Sequence, residues 1–285
     1  MRKTRLLYAL VLPILALSKP IVSATIMPTK FFIEEIAKDE LEINVMVPSS
    51  ADPHTFEPKP SQMKMLEKSD LYFEVGVEFD EIWLKKIAND FKGVKFIKTQ
   101  NGIEKIAMAS HDHHEKDHAE HDHGNLDPHI WLDPILVKTQ SKNILNALCQ
   151  TYSEKCEKFS ENEREFAKKL DELDEFAKAN LKDLKNHKFI VFHPSWGYFA
   201  ARYNLEQIAV EIEGKEPKPA DLAHLINEAK EENISVIFVA PQFSQKAAKL
   251  IAEQTGAKVI SIDHLSENWL EEMKKTIEII SKSLK

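Results

Sequence analysis

Residues 157–185 read EKFSENEREFAKKLDELDEFAKANLKDLK. The apolar side chains Phe159, Phe166, Leu170, Leu173, Ala177, Leu181 and Leu184 follow one another at spacings of seven, four, three, four, four and three. Glu and Lys fill the remaining faces, and neither Gly nor Pro interrupts the run. The pattern predicts one amphipathic helix of about 29 residues, reaching about 43 Å. A coiled-coil dimer stripe is the competing reading. It is the weaker one, because the stripe is short and α/β segments flank it on both sides. One stiff helix joining two lobes permits only small relative motion, whereas a hinge of two or three strands would permit more.

On each side of this helix, short apolar runs alternate with longer amphipathic ones. In the first half the expected strands are 21–26, 42–47, 70–75 and 94–97, with helices at 30–38, 61–68, 80–88 and 135–148. In the second half the strands are 188–192, 207–212, 235–239 and 258–262, with helices at 196–203, 219–232, 244–254 and 266–283. Such alternation implies parallel sheets covered by helices. The predicted fold is therefore α/β: two parallel-sheet lobes, residues 19–156 and 186–285, joined by one long rigid helix over 157–185.

The chain starts with an address. Arg2, Lys3 and Arg5 precede the apolar run Leu6–Leu17, which suits a signal peptide and is too short to span a bilayer. Cleavage after Ser18 is preferred to cleavage after Ala24, because the second cut would remove the expected strand at 21–26. Losing three positive charges would take the net charge from −8 to about −11. An acidic balance of 38 Lys+Arg against 46 Asp+Glu argues against a nucleic-acid binder. No glycine-rich phosphate motif occurs, so nucleotide binding is not expected. Cys149 and Cys156 would stand about 10 Å apart along one continuous helix, too far to bond. They could pair if the chain turns at Ser153-Glu154, and both alternatives stay open.

Three candidate metal-ligating side chains follow predicted strands. His193 ends 188–192, Asp263 ends 258–262, and His54 follows 42–47 through a proline-rich turn. In parallel α/β sheets, ligand groups collect beyond the carboxyl ends of strands. A fourth, His129, sits in Asp127-Pro128-His129-Ile130-Trp131-Leu132-Asp133-Pro134, pinned by two Asp-Pro pairs. Taken singly, each has an ordinary structural explanation; the argument for them is joint. His187, His224 and His264 are read as solvated or structural, with His264 the residue most open to misassignment because it adjoins Asp263.

Ala51-Asp52-Pro53-His54-Thr55-Phe56-Glu57-Pro58-Lys59-Pro60 resembles the first metal-ligand loop of the periplasmic zinc/manganese-binding receptors of ABC importers. The segment 127–134 resembles their second loop, and Phe192-His193-Pro194-Ser195-Trp196-Gly197-Tyr198-Phe199 their third. Glu213-Gly214-Lys215-Glu216-Pro217 is similar to a signature opening a helix of the second lobe. The resemblance implies two α/β lobes, one long connecting helix, and a metal site in the cleft between them. Position by position, it implies the ligands His54, His129, His193 and Asp263. Asp263-His264-Leu265 departs from the family's Asp-Pro-Leu, leaving water or Glu57 as alternatives to Asp263. Three imidazoles and a carboxylate suit Zn²⁺. The manganese branch of the family has a carboxylate as third ligand, where this chain has His193.

His111, His113, His114, His118, His121 and His123 crowd a segment with almost no apolar residue, 110–125. It is expected to be a mobile loop that binds zinc weakly, as a collector or concentration sensor beside the tight site, the alternative being incidental binding by a solvated loop. His114-Glu115-Lys116-Asp117-His118 matches the zinc-protease pattern H-E-x-x-H, but no apolar side is present to dock the helix such chemistry needs. The resemblance implies a monomeric periplasmic receptor that captures Zn²⁺ as cargo. It would hand the ion to an inner-membrane ABC permease driven by a separate ATPase subunit. A manganese receptor, a secreted zinc hydrolase, and an adhesin or metal buffer are the alternatives.

Overall fold

The computed structural model describes residues 18–108, 126–211 and 217–285. The leader, the six clustered histidines at 111–123, the H-E-x-x-H match and most of the 213–217 signature lie outside the described residues.

Eight strands form two sheets, and every pairing is parallel. The first sheet has β1 (Ile21–Ala24), β2 (Glu42–Val45), β3 (Leu71–Glu74) and β4 (Lys95–Lys98), in the order β2-β1-β3-β4. The second has β5 (Lys188–Val191), β6 (Glu206–Ala209), β7 (Val236–Val239) and β8 (Lys258–Ser261), in the order β6-β5-β7-β8. The inner strands read IVSA, LYFE, KFIV and VIFV and are almost wholly buried. Outer strands carry Glu42, Lys95, Lys98, Glu206 and Lys258, charges that discourage pairing with another chain. Seven of the eight strands fall within two residues of their predicted positions at either end; β6 ends at Ala209, three residues before its predicted end. A cut before Thr25 would delete β1, which is paired on both sides.

The helices cover these sheets: α1 (Met27–Ala37), α2 (Pro60–Glu67), a π-turn at Asp80–Leu84 running into α3 (Lys85–Ile87), α4 (Pro134–Thr151), α5 (Cys156–Leu181), α6 (Gly197–Arg202), α7 (Pro219–Glu231), α8 (Lys246–Thr255) and α9 (Trp269–Leu284). Asp133 caps α4 by accepting from the amides of Ile135 and Leu136, directly after the His129 loop. Helix α5 is the predicted long connection, and its stripe from Phe159 to Leu181 is buried. It stops at Leu181, four residues before the predicted end. The amides of Lys185 and Asn186 donate to the Leu284 carbonyl at 2.9 and 3.1 Å, so the end of α9 draws the chain out of its helical path. A short turn at Ser153–Lys155 separates α4 from α5, and Cys149 and Cys156 form a disulfide across it.

Apolar burial divides unequally. One large cluster joins α1, α4, α5, α6, α9, the first sheet and one face of the second. Trp269 packs edge-on to Phe32 at 5.1 Å, and Phe32 lies 5.8 Å from Phe166, so three helices meet on aromatic rings. A smaller cluster lies between the other face of the second sheet and helices α7 and α8. The alternation of side chains along β5 makes the division. Phe189 and Val191 join the large cluster, while Ile190 joins the small one.

Candidate metal centre

His54 lies in the loop after β2, where the Asp52 side chain accepts from the His54 amide at 2.9 Å and fixes the turn after Pro53. His129 precedes a 3₁₀ turn at Ile130–Leu132. His193 follows β5, an inner strand at the point where the strand order of its sheet reverses, the usual place for a ligand in such folds. The three rings meet. His54 Nε2 is 3.1 Å from His193 Nε2, and His193 Nε2 is 3.1 Å from His129 Nε2. Nitrogens at bonds of about 2.0–2.1 Å to one tetrahedral zinc stand about 3.3 Å apart. One ligand atom from each of the three lies within 4.8 Å of the others.

Each imidazole turns its other nitrogen to a carboxylate. His54 Nδ1 is 2.6 Å from Glu78, His129 Nδ1 is 2.7 Å from Asp127 Oδ1, and His193 Nδ1 is 2.6 Å from Glu211 Oε1. A carboxylate at Nδ1 holds the proton there, which leaves the Nε2 lone pair facing the shared point. Three lone pairs at such spacing repel one another, and a cation between them removes the repulsion. Asp127 Oδ1 also accepts from the His129 amide at 2.8 Å. Gly197 leaves room for this carboxylate, since a Cβ there would stand 2.5 Å from Asp127 Oδ2.

Surroundings separate the three rings. His129 is 1% exposed and rests beside Trp131, with ring centroids 5.1 Å apart. His193 is buried and stacks on Phe243 at 5.0 Å. Burial, reinforced by the neighbouring imidazoles, holds His193 well below the usual imidazole range. Burial also works against protonation of His54, but the Glu78 carboxylate outweighs it and raises that ring above its ordinary value. Glu78 is lowered in return: burial alone would raise it, and the ion pair with His54 prevails.

Asp263 is not brought into this group. Its Oδ1 accepts from Gln242 Nε2 at 3.0 Å and from the Leu265 amide at 3.0 Å, and Gln242 Nε2 also donates to the Ser49 carbonyl of the opposite lobe. His264, read from the sequence as solvated or structural, is 3% exposed, and its ring lies 6.0 Å from those of both His129 and His193. Sequence reasoning also missed Glu78 and Glu211 as partners of histidines. Both stand just beyond strands, β3 and β6, and that position is the signal that could have found them. Asp127, two residues before His129, was read only as a turn residue.

Among the described residues, no helix is long and apolar enough to cross a membrane. The family profile described as zinc-uptake complex component A, periplasmic (ZnuA) matches residues 22–283. The high-affinity zinc uptake system protein ZnuA of Bacillus subtilis is 31% identical over 271 residues, covering 91% of this chain and 82% of that protein. The zinc-binding protein AdcA of Streptococcus pyogenes is 30% identical over 92% of this chain, which spans only 53% of AdcA. A crystal structure of ZnuA superposes with a TM-score of 0.87 at 35% identity, covering 94% of this chain and all of the other. Matched along nearly its whole described length, this chain belongs to the ZnuA family.

Proposed function

We propose that this chain captures Zn²⁺ in the periplasm and delivers it to an ABC importer for high-affinity zinc uptake, with His54, His129 and His193 as ligands. One observation carries the reading: three imidazole Nε2 atoms meet at 3.1 Å steps, and a carboxylate backs each ring. An imidazole set suits zinc better than manganese, which prefers oxygen. The names of the B. subtilis and streptococcal relatives point the same way. The carboxylates nearest the rings are each committed to a ring nitrogen, which supports holding an ion over activating a water for hydrolysis. Asp263, engaged by Gln242, serves in this reading at the rim of the cleft.

Two further parts rest on the sequence. The basic and apolar leader supports export to the periplasm, where the chain acts as a monomeric receptor and a permease with its ATPase supplies the energy. The histidines at 111, 113, 114, 118, 121 and 123 act as a low-affinity collector.

The test is a chelator-competition titration of zinc. His54→Ala, His129→Ala and His193→Ala should each weaken tight binding by tenfold or more, about 1.4 kcal/mol. Deleting 111–123 should lower the stoichiometry and leave the tight site intact. Wild-type affinity in all three alanine variants would end this assignment. Growth of a deletion strain under zinc limitation, restored by added zinc, tests the transport role.

A further inference from the structure

His264 has no role in the site as described so far. It follows β8 in the second lobe and is 3% exposed. Its ring lies nearly parallel to Phe243, which also stacks on His193, so one phenyl group lines both imidazoles. The backbone beside it is fixed from the other lobe: Trp131 Nε1 donates to the His264 carbonyl at 2.8 Å, and Trp131 is two residues past His129. Its Nδ1 is buried without a hydrogen-bond partner among the described residues. A buried polar nitrogen left without a partner is costly and calls for an explanation. Among the described residues no carboxylate holds this ring, in contrast to the other three.

The separations suggest the explanation. His264 stands 6.0 Å, centroid to centroid, from both His129 and His193, about an ångström wider than the 4.9 Å between those two. Asp263 is tied to Gln242 and to the Leu265 amide. The neighbouring residue is therefore the better-placed donor from this strand end.

We propose that His264 is the fourth donor to the bound cation, closing inward by about an ångström to complete a four-nitrogen tetrahedral set. This rests on the zinc reading above and deepens it. Four protein ligands leave no open position, as in sites that hold rather than activate. An all-imidazole set would also disfavour Mn²⁺, Mg²⁺ and Ca²⁺, which seek oxygen.

The experiment is X-ray absorption at the zinc edge on the full-length mature protein carrying one equivalent of Zn²⁺, joined to chelator competition on His264→Ala, Asp263→Asn and His193→Ala. A first shell of four imidazole nitrogens is expected. Affinity should drop about tenfold or more in His264→Ala and less than about threefold in Asp263→Asn. Three imidazoles plus an oxygen in the wild type would overturn the proposal. So would a His264→Ala affinity within twofold of wild type, or a larger loss in Asp263→Asn than in His264→Ala. The absorption spectrum needs no variant, so a misfolded His264→Ala leaves the test in force. If His193→Ala also binds normally, the three-histidine site itself has failed; if only His264→Ala does, the fault lies with the fourth donor alone.

Discussion

The two sheets share one strand order, yet they are buried differently. The first is packed into the large cluster with α1, α4, α5 and α9. The second gives one face to that same cluster and the other to a small one under α7 and α8. The lobes are therefore held together by a common interior as well as by the connecting helix. Trp131 and Trp269 reinforce it, since the Trp269 indole donates to the Trp131 carbonyl at 2.9 Å. What remains lightly held is the outer layer of the second lobe. Local opening should therefore be easiest in that layer, and swinging of whole lobes would have to break the shared interior.

The strongest way to break this comparison is Trp269→Ala. It should cost about 3–5 kcal/mol and unfold both sheets in one transition by urea denaturation. Two separate transitions would show that the lobes do not share a core. Next comes Ile251→Ala in the small cluster, expected to cost about 2–3 kcal/mol. Hydrogen exchange should then speed up in α7 and α8 while α5 stays protected; equal acceleration in α5 would erase the distinction. Glu211→Gln should weaken zinc binding about 10–100-fold by freeing the His193 ring. Glu78→Gln should do less, because Glu78 is the more exposed of the two carboxylates. A reversed order in a zinc titration would mean that burial does not set the strength of these pairs.

The smallest effect is on pH. His193 and His264 are held well below the ordinary imidazole value of 6.5, chiefly by burial. Unfolded, they take up protons near pH 6.5 that the folded chain refuses, so stability of the metal-free protein falls as pH drops through that value. His54 is raised and works the other way: its contribution is complete below pH 6.5 and disappears as pH rises through its folded value. Among these three rings, the two held well below their ordinary value set the sign, so the histidines together favour a loss of stability on acidification. Melting temperature of metal-free protein should therefore decline from pH 7.5 to 5.5, and bound zinc should raise it at neutral pH. A flat profile would place these rings in contact with water.

Most of the fold was legible because its signals are local. Inner strands such as VIFV can only be buried, and the α5 stripe keeps its period over many turns. The end of α5 was not legible, since Leu184 continues the pattern and only a distant carbonyl, that of Leu284, ends the helix. The same contrast holds in the site. Proline-rich loops pointed to His54 and His129, and the end of a strand to His193. Their carboxylate partners were hidden because Glu78 and Glu211 lie 24 and 18 residues from the rings they hold. Between Asp263 and His264, a single step along the chain decides which side chain turns toward the cleft, and neither period nor composition resolves one step.

Ala107 and Leu126 are joined by an antiparallel bridge, and the Asp127 amide donates to the Ile106 carbonyl at 2.9 Å. This clasp closes the backbone immediately before the residue that steers His129. With the two ends so joined, a change of length between them should carry a closure cost that rises only about 0.6 kcal/mol per doubling. The clasp therefore uncouples the length of chain between its two ends from the placement of Asp127 and His129.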